Sequence, residues 1–186
     1  MGFMDSLKSG IKKVSDEAKA KAEREKAEKE EREKYLAEIN RQQALCDAAR
    51  ADQAYQKLRK RSENLHTKIE DAYTVLRNMD AYNTESGDKF ISMCEKYFAM
   101  TPELWPYWKK YEIDVLYAMP YTRLSMVYEK RGDYYNAALI CVRSINDGFP
   151  YDGPAARMQN RLSRMIKKGK FEPTEEMQKI LSEIFE

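Results

Sequence analysis

The sequence predicts an all-α protein of two unlike parts: a long charged helix, then a set of shorter helices. Three observations carry this expectation. Between Gly10 and Gly87 there is neither glycine nor proline over 76 positions, so nothing breaks a helix there. All six prolines lie from Pro102 onward, which confines the turns to the second half. Throughout, apolar residues recur three and four apart rather than alternately, the period of a helix face.

Composition narrows the function classes. At 186 residues, with 42% hydrophobic and 34% charged residues, the chain has the make-up of a helix-rich protein that stays in water. A net charge of +2 is too small to argue for nucleic acid in bulk, so only local clusters could do so. Cys46, Cys94 and Cys141 are odd in number and far apart, which fits reduced thiols better than a disulfide framework or a zinc site. The chain shows no long apolar run and no signal-peptide core, so a cytoplasmic protein is expected. His66 is the only histidine. It lies in a polar part of the long helix, and no nucleophile elbow, phosphate loop or metal-binding helix pattern surrounds it. No catalytic residue, cofactor or metal is therefore expected.

Residues 1–14 form the first element. Phe3, Met4, Leu7, Ile11 and Val14 share one helical face flanked by Lys8, Lys12 and Lys13, as in a helix lying on a membrane surface. The patch is small, and docking into a protein groove or a frayed end are its alternatives; several copies in an oligomer would strengthen a weak lipid contact. Met1-Gly2 with Ser6 meets the bare myristoylation motif, but Phe3 is an awkward neighbour for it.

Residues 15–80 read as one long charged or coiled-coil-like helix. From Lys12 to Glu38 nine basic residues face nine acidic ones, and Glu17 with Lys21, Glu25 with Lys29, Glu28 with Arg32 and Glu30 with Lys34 place the acid four residues before the base. That order supports a solvated helix by roughly 0.2–0.5 kcal/mol per pair. A coiled-coil seam is missing there. From Tyr35 an apolar face develops through Leu36, Ile39, Leu45, Tyr55, Leu58, Leu65, Ile69, Tyr73 and Leu76. It needs a neighbour: the C-terminal part, a hairpin folded near Arg61–Asn64, or a second copy, which would make residues 35–80 a homo-oligomer contact.

A loop from Met79 to Gly87 should precede a compact domain at 83–170. Ser86-Gly87-Asp88-Lys89-Phe90 echoes Arg131-Gly132-Asp133-Tyr134-Tyr135, which predicts a helix through Phe90, Cys94, Tyr97 and Phe98 ended by Thr101-Pro102. Trp105 to Tyr117 then reads as an inserted turn and helix. Tyr121, Leu124 and Tyr128 share the next helix face, Gly132-Asp133 breaks it, and Ala137, Cys141 and Ser144 continue on a second helix closed by Phe149-Pro150. After Pro154, placed for a first helical turn, Met158, Leu162, Met165 and Ile166 form a face that Gly169 ends. A C-terminal amphipathic helix, capped by Thr174, should occupy 171–186.

The stretch 118–151 resembles a tetratricopeptide repeat, whose signature sets an aromatic, Leu, an aromatic, Gly, Ala and Pro at such intervals. Ser125 stands where that family usually has a small Gly, and Pro150 falls one place late. The resemblance implies a short helical-hairpin stack with capping helices that binds other proteins. It further implies that the first helix turns Arg123, Met126 and Lys130, with Thr122 and Glu129, toward the hollow of the stack. Trp105 and Trp108 are candidate partner anchors, with core packing as the alternative. Arg157, Arg161, Arg164 and Lys168 form a basic stripe that reads as an ordinary solvated face or as one suited to an acidic protein surface, with nucleic acid disfavoured. The expected function is a non-enzymatic adaptor or scaffold tethered by its N-terminal helix. A structural assembly protein that oligomerises through the long helix is the alternative.

Overall fold

The computed structural model describes the backbone of residues 3–113, 118–153 and 156–182, and the side chains of 21, 23–113, 118–152 and 156–182. The chain is all-α. Its helices are α1 (Phe3–Ala51), α2 (Gln53–Met79), α3 (Glu85–Lys110), α4 (Met119–Lys130), α5 (Tyr134–Asn146), α6 (Met158–Gly169) and α7 (Glu175–Ser182). Two short antiparallel strands, β1 (Tyr151–Gly153) and β2 (Ala156–Arg157), link α5 to α6. They delay α6 to Met158, four residues beyond its expected start at Pro154, which itself lies outside the described residues. By contacts the chain divides into two compact units, Met1–Ala48 and Ala49–Glu186.

In the first unit α1 is an exposed charged helix. Among the described residues three of its ion pairs run opposite to expectation: Lys21 with Glu25, Lys26 with Glu30 and Lys29 with Glu33, at 3.8 to 3.9 Å, put the base first, whereas Glu38 with Arg41 puts the acid first. Glu25 and Glu30 each have a base four residues away on both sides, and exposed partners of nearly equal energy exchange freely. Farther along, Tyr35, Leu36 and Ile39 remain 67%, 49% and 45% exposed. Phe3, Met4, Leu7 and Ile11 belong to α1 by their backbone, but their side chains lie outside the described residues.

The second unit begins earlier than the sequence suggested. The helix expected to run to Asp80 breaks at Asp52, whose extended backbone and side chain cap α2 by accepting from Tyr55 N at 3.0 Å. From there Tyr55, Ile69, Tyr73 and Leu76 are buried. Burying each such side chain contributes roughly 1.5–3 kcal/mol, several times what an exposed i,i+4 pair supplies, so α2 packs against α3 and α4. Arg61 and Asn64, proposed as a hairpin turn, stand inside α2. The turn falls after Met79, where Asp80 takes a left-handed conformation (φ 50°) and donates its N–H to Leu76 O.

α3 also runs longer than expected. Thr101-Pro102 does not end it, and Trp105 continues the same helix. Pro102 and Pro106, four apart and both exposed, lie within it, each removing one N–H from the helix. Nor do the two glycines of the echoed motif match. Gly87 sits inside the first turn of α3, where an added Cβ would lie 2.1 Å from Tyr82 O, whereas Gly132 lies in the α4–α5 turn with φ 75°. Gly87 serves close approach, Gly132 a left-handed turn.

α4 and α5 end alike. Gly132 N donates to Glu129 O and Asp133 N to Tyr128 O; sixteen residues on, Gly148 N donates to Ile145 O and Phe149 N to Ser144 O. Each glycine supplies the positive φ these paired bonds require. α7 is capped by Thr174 Oγ1, which accepts from Met177 N. One continuous core, including Phe90, Phe98, Tyr121, Leu124, Phe149, Leu162 and Met177, joins α2 through α7.

Candidate interaction surfaces

Helix packing decides which expected contact residues are accessible. Arg123 extends from α4 to α2, where its guanidinium meets the Glu70 carboxylate at 3.1 Å and lies over the Tyr73 ring. Met126 takes the Tyr73 hydroxyl at 3.5 Å, and Thr122 is buried. Arg123 and Met126 therefore join α4 to α2. A partner-binding role for Arg123 and Met126 gives way to a structural one, because the neighbour their face required is the preceding hairpin. Lys130 remains exposed.

The basic stripe on α6 is divided. Arg161 is only 5% exposed: its Nε donates to Ser125 Oγ at 2.8 Å, and its two terminal nitrogens meet Asp152 at 3.2 Å and Glu129 at 3.1 Å. Lys168 also binds Glu129. Burial pushes the Glu129 carboxyl up, but the Lys168 hydrogen bond and the Arg161 and Lys168 charges outweigh it, so it titrates below its ordinary value. The assignment of Arg161 to a partner surface is thus corrected. Four apart from Arg157 and three from Arg164 in sequence, it points inward because Ser125 and two carboxylates wait there. Arg157 and Arg164 are exposed.

Trp108 is likewise core, edge-on to Phe149 with centroids 5.8 Å apart. Trp105 is 39% exposed and lies close against Gly148, so close that a Cβ there would meet the indole at 2.3 Å. With Pro102, Pro106, Lys109 and Ile113 these two rings line an open apolar groove of about 810 Å³. Residues 114–117, part of the expected insertion, lie outside the described residues. Elsewhere, burial pushes the Cys94 thiol up and the Cys141 thiol up to about 11, so neither is a thiolate at neutral pH. His66 is half-buried with its ring centroid 6.2 Å from that of Tyr97.

A surface that the sequence reading passed over lies between α2 and α3. Lys57, Lys60, Arg61 and Lys68 of α2, together with Lys96 of α3, surround a groove of about 540 Å³ whose lining contains no carboxylate. Asn64, Leu65 and Met100 complete it. None of the five cations has a hydrogen bond or ion pair to an acid among the described residues, and all five side chains are exposed. On the adjoining face Glu63 is occupied by Arg59 at 2.7 Å. Positions 57, 60, 61 and 68 advance by three, one and seven, one face of a helix, and this spacing was readable in the sequence. What could not be read was which face would be covered by α3 and which left open.

The geometry defines an all-α protein with two open grooves and a buried polar junction. Among the described residues no helix is long and apolar enough to cross a membrane, and no three His, Cys, Asp or Glu residues gather as a metal would need. No family model matches the chain, and neither the curated proteins nor the solved structures give a match.

Proposed function

We propose that this protein is a non-enzymatic adaptor, in which the unit from Ala49 onward holds a protein partner and α1 serves as a helical tether. The observation that supports it best is the open groove between α2 and α3: a compact helical unit leaves five cations there without acidic partners. Unsatisfied charge on a rigid helical platform is the arrangement that steers and orients a protein partner. The succession of hairpins α2–α3 and α4–α5, followed by α6, is compatible with a tetratricopeptide-like stack, and that likeness supports the same reading. Proximity labelling in the source cell, followed by calorimetry with each purified candidate, tests it. A direct complex with one protein is the expected result; turnover of a small molecule, or no direct partner, overturns it.

Assembly through α1 is the second reading, favoured by the exposure of Tyr35, Leu36 and Ile39 along one stretch of a solvated helix. Sedimentation of the full chain against a fragment starting at Ala49 separates the two. A full chain that forms oligomers the fragment does not would favour assembly.

A further inference from the structure

The groove between α2 and α3 has a definite chemical character. Its cations run along α2 from Lys57 to Lys68, about 16 Å at the rise of a helix, with Lys96 on the opposite wall. Between the walls Asn64 is exposed and Leu65 half-buried, and Met100, 3% exposed, closes the base. Cationic walls about an apolar base match a ligand that carries carboxylates on its flanks and aliphatic groups on its underside. Single-stranded nucleic acid matches less well, since its bases need aromatic faces to stack on, and no ring lines this groove. Methionine adapts its shape to aliphatic side chains.

We propose that the α2–α3 groove binds an acidic amphipathic helix of the partner protein, its Leu or Ile side chains on Leu65 and Met100 and its Glu or Asp side chains on the cationic walls. The inference rests on the adaptor reading and names the partner's chemistry. Charge complementarity selects the occupant: a basic or neutral helix would leave the five cations uncompensated. Helix-in-groove recognition of this kind takes orientation from the rim charges and residence time from the apolar base.

The test uses the full chain and three fluorescent probes in anisotropy titrations. These are an acidic amphipathic peptide with Leu at every third and fourth position and Glu between, the same peptide with each Leu replaced by Ser, and a uridine oligonucleotide of equal charge. The first should bind best, and the Ser peptide at least tenfold more weakly. Lys60→Glu with Arg61→Glu should weaken the first at least tenfold at low salt, while Lys179→Glu, on α7 and outside the groove, leaves it unchanged. Because all three residues are exposed, circular dichroism melts should show each variant folded. Equal binding of the Leu and Ser peptides, tighter binding of the oligonucleotide, or indifference to the double reversal overturns the proposal. If the double reversal spares the complex with the purified partner, the groove assignment fails and the adaptor reading stands. If the oligonucleotide is the only tight ligand, both fail.

Discussion

Ser125 is fully buried where the resembling repeat usually carries glycine, and its hydroxyl has two duties: it donates to Ala137 O at 3.0 Å and accepts from Arg161 Nε. Ser125→Ala should cost about 1–3 kcal/mol in urea unfolding, since the buried Arg161 Nε then lacks a partner; an unchanged midpoint would show that the junction tolerates its loss. That position 125 takes a small side chain was implied by the resemblance to the repeat. That it must be a hydroxyl was not, because the group it satisfies lies 36 residues later in sequence. Asp52 illustrates a charge effect of the same kind. The Tyr111 hydroxyl first, then Tyr55 N–H and Lys110, hold its carboxyl down to about 2 from an ordinary 3.8. A depressed folded-state value gives stability that is complete above about pH 4 and lost as pH falls toward 2. Asp52→Asn keeps the capping oxygen but removes the charge. Its urea midpoint should lie below that of the native protein at pH 6 and converge with it near pH 2, and a constant difference would remove the charge from the account.

Among elements, the turns after α4 and α5 use the same two hydrogen bonds but differ in surroundings. A Cβ on Gly132 would meet nothing within 4 Å, whereas one on Gly148 would strike the Trp105 ring. Gly132→Ala should therefore cost only the left-handed backbone penalty, about 1–2 kcal/mol, and Gly148→Ala that penalty plus overpacking of roughly 1–3 kcal/mol. Equal losses in thermal unfolding would show that Trp105 moves aside without cost. Gly132 was legible because Asp133 follows it as a helix cap. The second demand on Gly148 was not, since it arises from a ring on α3. Helix lengths misled for the same reason: Thr101-Pro102 read as a stop because a sequence does not reveal which side of α3 will be exposed.

For the whole molecule, the lesson concerns where the core begins. The composition break near Gly87 suggested a domain starting at Asn83, but Ile69, Tyr73 and Leu76 of α2 belong to the common core. A fragment of residues 49–186 should melt cooperatively, while one of residues 82–186 should bind hydrophobic dye and unfold without a sharp transition, having lost about 1.5–3 kcal/mol for each α2 side chain. A sharp melt for the shorter fragment would return the boundary to the turn. The apolar face of α2 was legible; its partner was not, because periodicity identifies a face that must be covered and says nothing of what covers it. One consequence of the packing concerns time rather than stability. The most extensive helix contacts, α2 with α3, α4 with α5 and α5 with α6, each join neighbours along the chain. Contacts of short sequence separation need little loop closure, so refolding from urea should be complete within milliseconds. During synthesis each hairpin could also form as soon as its second helix leaves the ribosome, before the chain that follows it exists.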